Sequence, residues 1–182
     1  MGTDDFHVEQ LTINNLPLYF EHLSQVAKQI ESNHDDVHFT HHYHEAITTS
    51  DSLFAQITNG IRVDFGHRGW RHIWIALDND NHILGHAELK SNECRLCKHR
   101  IQLNITAYPA NPLVTSKLLI CATDFCFASD NIEWIDLFLL SEKNNDIDFY
   151  LNHGFKTSEV NKDTYRIQGE SYDESHLVMN MK

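Results

Sequence analysis

The stretch from His72 to Leu140 constrains the fold more than any other part of the chain. His72-Ile-Trp-Ile-Ala-Leu77 and His82-Ile-Leu-Gly-His-Ala-Glu-Leu89 are strand-like runs separated by Asp78-Asn-Asp-Asn81. Asp and Asn bond their own main chain and tolerate left-handed backbone, so this spacing predicts a turn that folds the two runs into a hairpin. Arg100-Ile-Gln-Leu-Asn-Ile-Thr-Ala-Tyr108 supplies a third strand of the same meander. Pro112 then precedes a helix from about Val114 to Ala128, whose Val114, Leu118, Cys121, Ala122 and Phe125 share one face. Trp134-Ile-Asp-Leu-Phe-Leu-Leu140 follows, an apolar run of strand length suited to the middle of a sheet.

The flanks are read the same way. Phe6 to Leu11 alternates weakly and is expected to form a first strand. Leu16, Phe20, Leu23, Ala27 and Ile30 recur at spacings of three and four, predicting a helix with Asn15 as its cap just before Pro17. Asp51 to Ile61 repeats the pattern with Leu53, Phe54, Ile57 and Ile61, capped by Ser50 or Asp51. After Leu140, a short helix over Asp146–Leu151 ends at Gly154, and two strands are expected around Tyr165–Ile167 and His176–Met181. The sequence has 182 residues and three prolines, no internal repeat and no low-complexity tract, so residues 1–182 read as a single mixed α/β domain.

Charge narrows the partners. Fourteen basic against 26 acidic residues give a formal net charge of −12, which repels phosphate backbones and argues against nucleic-acid binding. No apolar run approaches the length needed to span a bilayer, and the first residues lack a basic region followed by an apolar stretch. The expected location is therefore cytoplasmic, with Cys94, Cys97, Cys121 and Cys126 as reduced thiols. Fourteen histidines are the unusual feature; protonating them all would carry the formal charge from −12 to +2. Two metal half-sites are visible, Cys94-x-x-Cys97 with His99, and His34, His38 and His42 at helical spacing. Neither is a complete ligand set, so no metal is expected.

From about Arg71 to Lys182 the sequence resembles the GNAT superfamily of N-acetyltransferases. The resemblance is carried in order by His82–Leu89, His99-Arg-Ile-Gln-Leu-Asn-Ile105 and Ser116-Lys-Leu-Leu119. Phe149-Tyr-Leu-Asn-His-Gly-Phe155 and Tyr165-Arg-Ile-Gln-Gly-Glu170, leading to Asp173 and Met179, complete it. It implies an α/β (α+β) fold with a mixed central sheet flanked by helices. It also implies transfer of an acetyl group from acetyl-CoA, as co-substrate, to a primary amine of a small molecule or protein, by a monomer or homodimer. The two strands ending near Ala107 and Leu140 would splay, with the pantetheine arm bonded to backbone of Ile105, Thr106 and Ala107. The pyrophosphate would rest on the helix start formed by Leu113, Val114, Thr115, Ser116 and Lys117. By the same resemblance Tyr150 protonates the departing thiolate, and Asn144 takes the place of an Asn that relatives carry one residue earlier.

The chain departs from that pattern at two places. Pro109-Ala-Asn-Pro-Leu-Val-Thr-Ser116 holds neither the Arg nor the glycines usual in the pyrophosphate loop. Weaker gripping of phosphate is expected, with the first-turn N–H groups of Val114, Thr115 and Ser116 left free to supply it. Gln102 stands where some relatives place a Glu base, which leaves Glu88 as the best carboxylate to deprotonate the amine, with His99 or a water chain as rivals. The alternative is a non-catalytic domain of the same fold that binds a ligand or protein partner.

Overall fold

The computed structural model describes residues 5–32, 50–92, 94–107, 110–141, 144–167 and 169–182. The expected His34, His38 and His42 set lies outside them, as does Lys143. The chain runs β1 (Phe6–Gln10), α1 (Leu16–Ser32), α2 (Ser50–Gly60), β2 (Arg71–Asp78), β3 (Ile83–Ser91), β4 (Arg100–Ala107), α3 (Pro112–Phe127), β5 (Trp134–Leu140), α4 (Asn144–Asn152), β6 (Lys156–Ile167) and β7 (Glu170–Asn180). The seven strands form one sheet in the order β1-β2-β3-β4-β5-β7-β6. Every pair is antiparallel except β4 with β5, which are joined by the crossover helix α3.

Local chemistry explains the joints. Asp78 Oδ1 accepts from the N–H of Asp80 at 2.9 Å and of His82 at 2.7 Å, and Asn81 adopts φ 62°, so the Asp/Asn run closes the β2–β3 hairpin as expected. Gly154 at φ 96° ends α4 in the left-handed conformation that glycine tolerates without strain. Asn15 does not cap α1. Its amide oxygen accepts from the Thr12 N–H at 2.6 Å, inside a 3-10 turn over Ile13–Asn15 that leads into the helix. The final hairpin is longer than periodicity indicated, because β6 and β7 carry polar residues through a sheet edge that needs no apolar run.

The sheet buries both faces. On one, Tyr19, Leu23, Leu53 and Ile57 of α1 and α2 pack on Ile73, Ile75 and Leu77. On the other, Leu119, Ala122 and Cys126 of α3, with Tyr150 of α4 and Phe155, cover Leu89, Ile101, Leu103, Ile135, Leu137 and Leu177. Leu119 and Cys126 thus take interior places expected of Cys121 and Phe125, which are half-buried. Strand alternation then decides which face each polar residue meets.

Candidate active site

β4 is paired with β3 along its whole length, from Ile101 opposite Ser91 to Ala107 opposite Gly85. Its pairing with β5 stops early: Arg100, Ile101 and Gln102 meet Trp134, Ile135 and Asp136, and no further pair follows. β5 continues to Leu140 with β7 on its far side. The two strands therefore part beyond Gln102 and Asp136. Each turns toward the resulting notch a backbone edge without a strand partner, and such an edge can bond an extended ligand. Ile105, Thr106 and Ala107 lie on it, the last two buried.

The notch opens toward the start of α3, and Gly85 sets how closely the pieces meet. A Cβ at Gly85 would stand 2.5 Å from the Thr106 carbonyl oxygen and 3.1 Å from Val114 Cγ1, so only glycine lets β3 approach there. The helix start differs from expectation. α3 begins at Pro112, two residues early, because a first-turn proline lacks an N–H that would be orphaned anyway. Asn111 is its cap: Oδ1 accepts from the N–H of Leu113 at 3.0 Å and of Val114 at 3.3 Å. The Thr115 N–H donates to the Asn111 carbonyl at 3.0 Å. The expected free donors at Val114 and Thr115 are thus engaged, and Ser116 lies within the helix beyond them. Leu113 and Lys117 are exposed, and Thr115 and Ser116 are half-buried.

Tyr150 lies on the α3/α4 side of the sheet, 5% exposed, edge-on to Phe149 at 5.1 Å and Phe155 at 5.7 Å. Burial, with the Asp146 charge adding to it, raises its phenol well above the usual range, so it stays protonated. Asn144 is the first residue of α4. Glu88 points to the opposite face, between Ile73 of β2 and Asn104 of β4. Its Oε1 accepts from Arg71 Nη1 and its Oε2 from Asn104 Nδ2 at 3.2 Å. Burial pushes the carboxyl up, but the Arg71 and Lys90 charges and these hydrogen bonds outweigh it and hold it below its ordinary value. His99 is exposed beside the start of β4.

A third polar group stands at the closed end of the notch. Asp136 accepts from Arg100 Nε at 3.0 Å and from Arg100 Nη2, and His176 Nε2 lies 2.8 Å from its Oδ1. The His176 ring stacks on Phe138 at 4.5 Å with 9° between planes.

No protein-family profile and no curated protein matches the chain in sequence. Solved structures do match in shape. A GNAT-family acetyltransferase from Streptococcus pneumoniae is 17% identical with a TM-score of 0.77, covering 97% of this chain and 99% of its own. An N-acetyltransferase from Staphylococcus aureus is 14% identical, also at 0.77, covering 98% and 100%. A spermidine/spermine N-acetyltransferase from Vibrio cholerae is 15% identical at 0.67, covering 97% and 93%. The chain has the GNAT fold.

Within the GNAT fold, Ile105 to Ala107 lie on the β4 edge of the notch and residues Leu113 to Lys117 at the helix start beside its open end, while Tyr150 and Glu88 fall on opposite faces of the sheet. The Arg100, Asp136 and His176 group was not singled out from sequence. Its one local signal was an Asp in the middle of the apolar run Trp134–Leu140. Cys94 and Cys97 are free thiols. Among the described residues, the ligating side chains that converge are instead Asp78, Asp80 and His82, at the exposed β2–β3 turn where the hairpin's own bonds account for them. Among the described residues no helix is long and apolar enough to cross a membrane.

Proposed function

We propose that this protein is an acetyl-CoA-dependent N-acetyltransferase acting on a primary amine, with the thioester end of acetyl-CoA in the notch between β4 and β5. The observation that carries this reading is the parting of the two strands after Gln102 and Asp136, next to a helix start at Asn111. A pantetheine arm is an extended chain of amides, and the unpaired edge at Ile105, Thr106 and Ala107 offers it strand-like hydrogen bonds. Leu113 to Lys117 lie where the pyrophosphate would emerge, with the Lys117 charge and the Ser116 hydroxyl available to it, while the Thr115 hydroxyl already donates to the Asn111 carbonyl at 3.0 Å. Asn144, at the start of α4, is proposed as a further coenzyme-binding residue. Tyr150 donates its proton to the departing thiolate from the α3/α4 side. Glu88 is the carboxylate on the amine's side of the sheet; with both oxygens engaged by Arg71 and Asn104, it acts by offsetting the Arg71 charge that would otherwise repel a cationic amine. The polyamine relatives make small cationic amines the first acceptors to try, and a protein with a net charge of −12 attracts them.

The test is thermal. At acetyl-CoA a hundredfold above Kd the stabilisation is about 2.7 kcal/mol, which moves Tm by roughly 5–10 °C in a domain of this size. No shift at millimolar acetyl-CoA, and no heat on titration, would sink the enzyme. One observation favours the second reading, a non-catalytic ligand- or partner-binding domain: Asn111 already occupies the N–H groups a pyrophosphate would use.

A further inference from the structure

We propose that His176 is the catalytic base of this acyl transfer, with Asp136 and Arg100 as its positioning residues. The inference rests on the acetyltransferase reading above and deepens it by naming where the amine's proton goes.

Position comes first. Asp136 belongs to the last pair that joins β4 to β5, so it marks the closed end of the notch. If the pyrophosphate lies near Asn111, the arm runs back along β4 from Ala107, and the thioester reaches toward Gln102 and Asp136. Asp136 and Phe138 are two apart on β5, and His176 pairs with Phe138 across the β5–β7 ladder, so all three face the same side. That side is opposite the one holding Tyr150, whose cluster includes the intervening Ile135 and Leu137. An amine attacking from the His176 side would expel sulfur toward the Tyr150 side. Acid and base thus approach the acetyl carbon from different sides, so one can take a proton from nitrogen while the other gives one to sulfur.

The hydrogen bonds then fix the tautomer. The Asp136 side chain is 7% exposed and both its oxygens accept from the Arg100 guanidinium, so it faces His176 as an acceptor. At 2.8 Å from Oδ1, Nε2 of His176 must therefore carry the hydrogen. Nδ1 is left with its lone pair and has no partner among the described residues. Stacking on Phe138 holds the ring plane, and the His176 side chain keeps 19% exposure, enough for a ligand to reach it. Glu88, by contrast, has both oxygens occupied. An imidazole oriented by a buried carboxylate is a suitable general base near neutral pH. The other charged groups facing His176 are Glu159, opposite it on β6, and Glu174, two residues earlier on β7 and bonded to the Tyr165 hydroxyl.

The balance of the step is simple. An ammonium loses two protons in becoming an amide. One passes to Nδ1 of His176 and on to water, leaving a neutral nitrogen that bonds to the acetyl carbon. As the C–S bond breaks, the sulfur takes its electron pair and the phenolic proton of Tyr150; the second nitrogen proton leaves to water by way of His176 and a proton from water restores the phenol, so one proton is released overall.

The experiment uses the full chain with acetyl-CoA and spermidine as the probe amine. His176→Gln places an amide N–H near the Nε2 position, so the bond to Asp136 can survive; His176→Phe, which can stack on Phe138, is the second variant. Both should keep the acetyl-CoA thermal shift yet lose roughly a hundredfold in kcat at pH 7, with part of the loss regained as pH rises and free amine accumulates. Asp136→Asn removes the anion behind the imidazole, so its acid limb in kcat/KM should move to lower pH, which a purely structural role would not cause. Turnover by wild type with His176→Gln or His176→Phe within twofold of it, and the same pH profile, overturns His176 as base and leaves the acetyltransferase standing. Binding of acetyl-CoA without acetylation of spermidine or other primary amines overturns the enzyme reading and this proposal together.

Discussion

A single hydroxyl decides whether Tyr150 is chemistry or packing. Its ring is enclosed by Phe149 and Phe155 and would be equally well placed as Phe. Tyr150→Phe removes only an oxygen, so Tm should change little, by about 1 kcal/mol or less in stability. If the phenol is the proton donor, kcat should fall roughly tenfold to a thousandfold at unchanged acetyl-CoA affinity. Because burial raises this phenol, wild type should show no loss of activity from its ionisation below about pH 10. Equal turnover in the two proteins would make Tyr150 a packing residue. Tyr150 could be found from sequence because its cue, Tyr-x-x-x-Gly-Phe, is local. Asp136 and His176 could not, since they are forty residues apart and meet only through the β5–β7 register. The same holds for Glu88, whose partner Arg71 is seventeen residues away across a hairpin.

Among elements, α3 is where sequence and structure differ most usefully. Its apolar face was legible, because period 3.6 shows in any helix packed on a sheet. Its first turn was not: a Pro at the start and an Asn before it can be read as a loop or as a cap, and the geometry selects the cap. The consequence can be measured. Asn111→Ala should cost about 1 kcal/mol of stability, the usual value of an N-cap. If the pyrophosphate uses the Leu113 and Val114 N–H groups, native Asn111 must first release them, so the variant should bind acetyl-CoA about fivefold tighter, the equivalent of that 1 kcal/mol. Unchanged or weaker binding in a folded variant would mean that the phosphate rests on Lys117 and the Ser116 hydroxyl instead. Strand boundaries were legible where alternation or apolar runs were strong: β5 falls on Trp134–Leu140 as read. β6 and the start of β7 were underestimated because β6 is the exposed edge strand and residues 170–172 of β7 pair with it alone, so neither carries such a signal.

For the molecule as a whole, acid pH should be the main threat to stability, through two buried histidines. His22 of α1 and His86 of β3 lie 6.1 Å apart between centroids beneath the first helix, with Tyr19 edge-on to His86 at 5.2 Å. Burial lowers His22 to about 4, and burial together with the His22 charge lowers His86 to about 3, against an ordinary 6.5. The sign follows from linkage: the folded state holds both rings neutral, whereas the unfolded state binds protons from pH 6.5 downward. Their contribution to stability is complete above 6.5 and lost as pH falls toward 4 and then 3. At pH 4.5 the loss is about 2–3 kcal/mol for each, a large share of a typical folding free energy. The exposed histidines act oppositely, since their protonation relieves the repulsion of a chain with net charge −12. That relief is spread over solvent-screened charges and is weak at about 0.15 M salt, so the buried pair should win. Between pH 6.5 and 4.5 carboxylates held at lowered values stay ionised in the folded protein, and ordinary glutamates begin to protonate only at the acid end, so the histidines dominate the window. Tm measured across it should drop by roughly 10–20 °C in wild type, and the drop should shrink in a protein carrying His22→Leu and His86→Leu. A flat profile in wild type would show that the two rings are not held neutral in the folded protein.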